Sequence, residues 1–205
     1  MLGVVLAGGA GQRIGGDKAL VELGGRSLIE WVLAAFERAG LECVVVAKDH
    51  NGLERSGVEV VVEPSNPRHP LLGLVTALEW AAGSPIVTSP CDVPFVTPEL
   101  LRLLATTEGS AVVPRVSGRL QPLIARYEPS TLGVLRAALE AETSMAATLN
   151  RLGPATLEGT ELAGIGDLER VFFNVNSSDD LAVAERYASG IRTASAPLGG
   201  RIAAR

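Results

Sequence analysis

The 205-residue chain is predicted to fold as one α/β domain of three layers, helices on both faces of a mostly parallel sheet. Three observations point there. Short β-branched runs alternate with segments whose apolar residues recur at helical spacing. Loops rich in glycine and proline follow the ends of those runs. Hydrophobic residues make up 47% of the chain against 20% charged, enough to fill a buried core. Aromatic residues are only 4%, so Val, Leu, Ile and Ala must do most of the filling. Strands that are apolar along their whole length suit a sheet covered on both sides.

Val4-Val5-Leu6 reads as the first buried strand. It runs into Ala7-Gly8-Gly9-Ala10-Gly11, too glycine-rich for a helix or a strand. A helix is predicted from Ser27 to Ala39. Ser27 and Glu30 match a capping box, and Leu28, Trp31, Val32, Ala35 and Phe36 share one face; Gly40 ends it. Cys43 to Ala47 and Val58 to Val62 read as strands, the second ending at Glu63-Pro64. Three prolines at 64, 67 and 70 predict an irregular loop, followed by a helix from Gly73 to Ala82. Pro85 to Ser89 is a further strand, leading into Pro90-Cys91-Asp92. Thr97-Pro98-Glu99 is a strong helix start, and that helix should reach Thr106.

Ala111 to Val113 and Leu120 to Tyr127 read as strands joined by a turn at Ser117-Gly118. Ser130 to Glu142 and Ser144 to Leu152 are predicted helices, with Gly153-Pro154 as the stop. Val171 to Val175 reads as a last strand, and Ser177 caps a helix ending near Ser189. The domain is therefore expected over 1–189. Residues 190–205, rich in Gly, Ala and Arg, are expected to form a flexible tail.

Composition excludes several functions. A net charge of −5 argues against a general nucleic-acid surface, which would be basic. Apolar runs fall short of the ~18 residues that span a bilayer, and no charged segment precedes the first apolar stretch as in a signal peptide. A cytoplasmic location without membrane contact is expected. Cys43 and Cys91 lie far apart and match no metal spacing, so both are expected as reduced thiols. His50 and His69 fall in polar loops and are expected at the surface, with no Ser or Cys beside them to suggest a nucleophile.

The stretch from Leu6 to Lys18, LAGGAGQRIGGDK, is the most informative. Five glycines in thirteen residues let the backbone approach a ligand and present consecutive N–H groups to phosphate oxygens. Arg13 and Lys18 add positive charge. Only Lys18 and Lys48 among 18 basic residues are lysine, and a compact ammonium suits a crowded polyphosphate better than a planar guanidinium. A Walker loop would need Ser or Thr after the lysine, where Ala19 stands. A dinucleotide fingerprint would start its helix after the third glycine, where Gly15-Gly16 prolongs the loop. In a parallel sheet, ligands bind beyond the carboxyl ends of strands. The glycine loop, Glu63 and Asp92 all follow strands and should share one crevice.

The loop resembles the signature of nucleotidyltransferases related to sugar-nucleotide pyrophosphorylases, and more closely that of the molybdenum cofactor guanylyltransferase family. Leu-Ala-Gly-Gly, an Arg, a Gly-Gly element and Asp-Lys occur in that order at 6–18. Pro70-Leu71-Leu72-Gly73, Cys91-Asp92-Val93-Pro94-Phe95, Gln121-Pro122-Leu123-Ile124-Ala125 and Phe173-Asn174-Val175-Asn176 resemble the family's later motifs, also in order. The resemblance implies a Rossmann-like sheet of the nucleotidyltransferase type and transfer of GMP from GTP to molybdopterin, with release of pyrophosphate. It implies nucleotide contacts from Leu6, Ala7, Gly8, Gly9, Lys18, Glu63, Gly73 and Asp92, with Arg13, Lys18 and Asp92 catalytic. Asp92 is the expected Mg²⁺ ligand, since Mg²⁺ takes one or two protein carboxylates plus substrate oxygens and water. Asn174 and Asn176 are candidates for the metal shell or the acceptor, and equally for a turn before a capped helix.

The family's asparagine after the second strand corresponds to Ala47, and its usual aspartate after the third to Glu63. Gly8 favours guanine, because cytidylyl relatives more often carry alanine there. Arg115, Arg119 and Arg126 could face the pterin phosphate, although a solvated face is the commoner use of arginine. A monomer is expected, with molybdoenzyme maturation proteins as partners. The alternatives are a cytidylyltransferase acting on molybdopterin, a sugar- or polyol-phosphate nucleotidyltransferase, and a nucleotide-binding regulatory or maturation protein without catalysis.

Overall fold

A computed structural model describes residues 1–8, 18–50 and 52–194. The chain opens with β1 (Leu2–Leu6), followed by a hairpin of β2 (Glu22–Leu23) and β3 (Arg26–Ser27). Gly24 and Gly25 both take positive φ in its two-residue turn, a conformation that side chains resist. Then come α1 (Leu28–Ala39), β4 (Cys43–Ala47), β5 (Val60–Val62), α2 (Pro70–Trp80), β6 (Ile86–Pro90) and α3 (Pro98–Thr106). The second half holds β7 (Ala111–Val116), β8 (Arg119–Leu120), β9 (Ala125–Tyr127), α4 (Leu132–Glu140), α5 (Met145–Leu152), β10 (Ala155–Leu157), α6 (Leu168–Val171) and α7 (Ser178–Ala194).

The strands align in the order β10-β7-β9-β6-β1-β4-β5, with β8 paired onto β7. β1 runs parallel to both β4 and β6, β4 to β5, and β7 to β10; β9 is antiparallel to its neighbours β6 and β7. Alternation along β1 sends Val5 to one face and Val4 to the other. On the first, Val5, Val45 and Val87 pack with Phe36 of α1 and Leu100, Leu101 and Leu104 of α3. On the second, Val4, Val46 and Ile86 pack with Leu71, Leu74 and Leu78 of α2 and Leu135 of α4. A third cluster, Leu23, Leu28, Phe95, Val175, Ala184 and Ala188, fastens α7 to the hairpin and to the loop after β6.

Phe36 is fully buried, and its ring lies where a side chain on Gly3 would go. Phe36→Ala is expected to cost about 3–5 kcal/mol through the cavity left behind. Urea unfolding should show the midpoint falling at unchanged slope.

Several boundaries depart from the sequence expectation. The helix predicted from Gly73 begins at Pro70, because His69 caps it: its Nδ1 accepts the Leu71 N–H at 3.2 Å. His69 is half-buried, whereas His50 is exposed as expected. The strand expected from Val58 starts at Val60. The strand expected over Leu120 to Tyr127 breaks into β8 and β9; Pro122 offers no N–H, and Ile124 N turns back to Gln121 O at 3.0 Å. The helix expected from Ser130 begins instead with a 3-10 turn, Pro129–Thr131, before α4. No strand forms at Val171 to Val175. Val171 ends α6, and Phe173 and Val175 serve the third cluster from an irregular segment outside the sheet, where the Val175 N–H bonds to Asp92 O at 2.8 Å. The ladder position at the sheet edge belongs to β10, which sequence periodicity did not reveal. The last helix runs past Ser189 to Ala194.

Candidate active site

Parallel pairing lines up the carboxyl ends of β1, β4, β5 and β6. Leu6 stands opposite both Val46 and Pro90, and Ala47 opposite Val62. Beyond these ends lies a cavity of about 380 Å³. Leu6, Gly8 and Lys18 line it from the first loop, Glu63 from the end of β5, Leu72 and Gly73 from α2, and Cys91 and Asp92 from the end of β6. Ala7 is not among the lining residues; its N–H bonds to Val46 O at 2.8 Å. Gly9 and Arg13 lie outside the described residues.

In this cavity Lys18 and Asp92, far apart in sequence, meet. Lys18 Nζ is 2.6 Å from Asp92 Oδ2 and 2.6 Å from Asn176 Oδ1. Lys18 is only 9% exposed, so this ammonium has left bulk water and requires both acceptors. Asp92 is held through its backbone: its carbonyl accepts the Val175 N–H at 2.8 Å, and the adjacent Cys91 N–H bonds to Leu6 O at 3.0 Å. Its second carboxylate oxygen, Oδ1, is buried with no hydrogen-bond partner among the described residues. A buried anionic oxygen in that state is a good donor for a hard cation. Among the described residues no group of three His, Cys, Asp or Glu side chains gathers. Among the described residues, Asp92 is thus the carboxylate that could hold a divalent ion here, with substrate oxygens and water filling the rest of its shell.

Asn176 is itself fixed by the start of α7. Asp180 Oδ2 accepts the Asn176 N–H and the Ser177 hydroxyl, both at 2.9 Å, and Ser177 Oγ accepts the Asp180 N–H at 3.2 Å. The Asn176 N–H, with help from the Ser177 hydroxyl, holds the Asp180 carboxyl below the usual carboxylate range. Asn174 is exposed and makes no hydrogen bond to Lys18 or Asp92 among the described residues.

Glu63 lines the same cavity, 7% exposed and wedged between two glycines. A Cβ on Gly8 would stand 2.1 Å from Glu63 Oε1, and one on Gly73 3.3 Å from Oε2. The first distance is impossible without moving the carboxylate. Gly8 therefore makes room first for Glu63, and through it for a ligand. Burial pushes the Glu63 carboxyl up, partly offset by the charge of Lys48. No hydrogen bond reaches it from the described residues, so the group faces the cavity without a donor of its own.

Lys48, Arg68, His69 and Leu123 also line the cavity, although the sequence assigns them no role there. The pair His69-Pro70, a polar cap before a proline, is the signal that could have placed 68–70 at a helix start facing the crevice. Of the three arginines considered for an acceptor, Arg126 is turned away. It is buried against the Thr107 and Gly109 carbonyls and pairs with Glu128. Arg115 pairs with Glu158 at 3.2 Å, and Arg119 is exposed in the β7–β8 hairpin.

Residues 3–155 match the MobA-like NTP transferase domain. A Cereibacter sphaeroides protein named molybdenum cofactor guanylyltransferase is 36% identical over 193 residues, covering 90% of this chain and 95% of that protein. Molybdopterin-guanine dinucleotide biosynthesis protein A from Archaeoglobus fulgidus has a similar structure, with a TM-score of 0.80 and 30% identity over 93% of this chain and all of that one. The 2-C-methyl-D-erythritol 4-phosphate cytidylyltransferase of Thermus thermophilus, 22% identical with a TM-score of 0.65 over 92% of this chain and 98% of that one, shares the fold.

Proposed function

Since the chain belongs to the MobA-like NTP transferase family, we propose that this nucleotidyltransferase acts as a molybdenum cofactor guanylyltransferase, moving GMP from GTP onto molybdopterin. An oxygen of the acceptor's phosphate attacks the α-phosphorus of GTP. The bond to the bridging oxygen breaks, and its electron pair leaves with pyrophosphate. The product is the guanine dinucleotide form of the cofactor.

One observation supports the reading: a cavity at the strand ends lined both by a cation–carboxylate pair and by a second buried carboxylate that no hydrogen bond reaches from the described residues. Every reactant in this transfer is an anion, so the protein's task is to neutralise charge and align atoms. Lys18 takes the phosphates, with Arg13 adding a further cation. Leu6, Gly8 and Gly9 carry the nucleotide along the loop, while Ala7, its N–H bonded to Val46 O, holds the loop onto β4. Asp92 holds Mg²⁺, which when bound supplies charge neutralisation at the phosphate oxygens. Glu63 accepts from the N1–H and N2 amino groups of guanine, donors arranged to suit one carboxylate. Cytosine and adenine cannot present that pair, and Gly73 leaves the carboxylate space to do it.

The test is a screen of GTP, CTP, ATP and UTP with Mg²⁺ and the pterin acceptor. Pyrophosphate should appear with GTP, and only when Mg²⁺ and acceptor are both present. Release from CTP but not GTP would overturn the guanine assignment.

A further inference from the structure

We propose that Asn176 is a positioning residue, keeping the Lys18 ammonium at the nucleotide's phosphates once a divalent cation has claimed Asp92. The inference rests on the nucleotidyl-transfer reading above and extends it to how the lysine and the metal coexist.

An ammonium has three donors and no acceptor capacity. In the structure two of those donors are committed, one to Asp92 Oδ2 and one to Asn176 Oδ1, both at 2.6 Å. The partners differ in kind. Asp92 is an anion, and its Oδ1 has no partner among the described residues, so a divalent cation is drawn to the same carboxylate. That cation repels the ammonium and competes for the negative charge that held it. Asn176 carries no charge for the cation to neutralise, and its Oδ1 is already turned to Lys18 at 2.6 Å, so its bond to Lys18 survives.

The asparagine is also a rigid anchor. Its backbone N–H is tied to Asp180, which is tied to Ser177 in the cap of α7. The helix behind that cap is fastened by edge-on ring contacts of Tyr187, to Phe95 on the loop carrying Asp92 and to Phe173 in the segment leading to Asn176. Asn176 therefore moves with the Asp92 loop, and its oxygen stays in reach of Lys18 whether or not the carboxylate does. Without it, arrival of the cation would release Lys18 just as the phosphates need it.

The prediction concerns how far Mg²⁺ tightens GTP binding, measured by calorimetry as the ratio of Kd in EDTA to Kd in Mg²⁺. Asn176→Ala should leave Kd in EDTA nearly unchanged, because Asp92 still pins the lysine. It should lower the ratio about tenfold, the scale of one hydrogen bond to a charged group. In a Lys18→Met background, Asn176→Ala should have no further effect, since nothing remains to be positioned. Asn176 is exposed and its contact to Asp180 is through the backbone, so alanine leaves the cap intact; circular dichroism checks this. Losses that simply add across the double mutant would make Asn176 merely structural and overturn the inference alone. Wild-type binding of GTP indifferent to Mg²⁺ would overturn the nucleotidyl-transfer reading as well.

Discussion

Asp92→Ala is expected to lower kcat for pyrophosphate release from GTP by about a thousandfold or more. Holding the divalent cation is worth several kcal/mol of charge stabilisation, and each ~1.4 kcal/mol is a factor of ten in rate. The fold should survive. What Asp92 gives to the architecture is its backbone carbonyl, bonded to Val175 N at 2.8 Å, and alanine keeps it. Lys18 retains its bond to Asn176. Asp92→Asn is the sharper companion, since it preserves shape and an acceptor for Lys18 while removing the charge. A drop in kcat for both variants, with thermal melting within a few degrees of the parent, would place the loss in chemistry. Full Mg²⁺-dependent turnover in either variant would refute Asp92 as the metal ligand.

Glu63→Gln is expected to raise stability while it degrades base choice. The carboxylate is buried without a hydrogen bond from the described residues, and burial raises its pKa from 4.5. The folded chain therefore holds that proton more tightly than the unfolded chain. The stability this contributes is complete below the ordinary carboxylate value and is lost as pH rises through the raised folded value. Near neutrality the charged group is a burden that glutamine removes. The melting temperature of the variant should exceed that of the parent at pH 7, and the gap should shrink toward pH 4.

Base choice should move the other way. Glutamine offers one acceptor and one donor where guanine needs two acceptors, so preference for GTP over other triphosphates should fall by about 10–100-fold, the cost of one or two mismatched buried polar contacts. Competition binding with GTP and CTP at fixed Mg²⁺ reads this directly. A variant as selective as the parent would show that Glu63 does not read the base.

Most regular elements of the first half, the short β2–β3 hairpin excepted, were legible because local physics dictates them. Ser27 with Glu30, and Thr97 with Pro98 and Glu99, form caps within one turn of the chain. β4 is apolar along its length because it is covered on both faces. The second half was less legible. Val171 to Val175 has strand composition but no strand: Val171 ends α6, and Val175 bonds to the Asp92 carbonyl and packs in the third cluster instead of joining a ladder. Pro122 breaks a strand that its flanking residues favour. The apolar residues of 171–175 were read as a strand, and their geometry is not one, because apolar composition alone does not choose between ladder and irregular packing.

The site divides along the same line. Amino-acid order alone determined the glycine loop with its lysine, the carboxylates at 63 and 92 that follow strands, and the family motifs in sequence. All of these are statements about what lies next to what along the chain. That Lys18 shares its protons between Asp92 and Asn176, that Gly8 yields its space to Glu63, and that Arg126 is buried against Thr107 and Gly109 were decided only by the packed sheet. Each of these is a distance between residues remote in sequence. Such distances depend on strand order and helix docking, which the summed burial of the whole core selects and no local segment encodes.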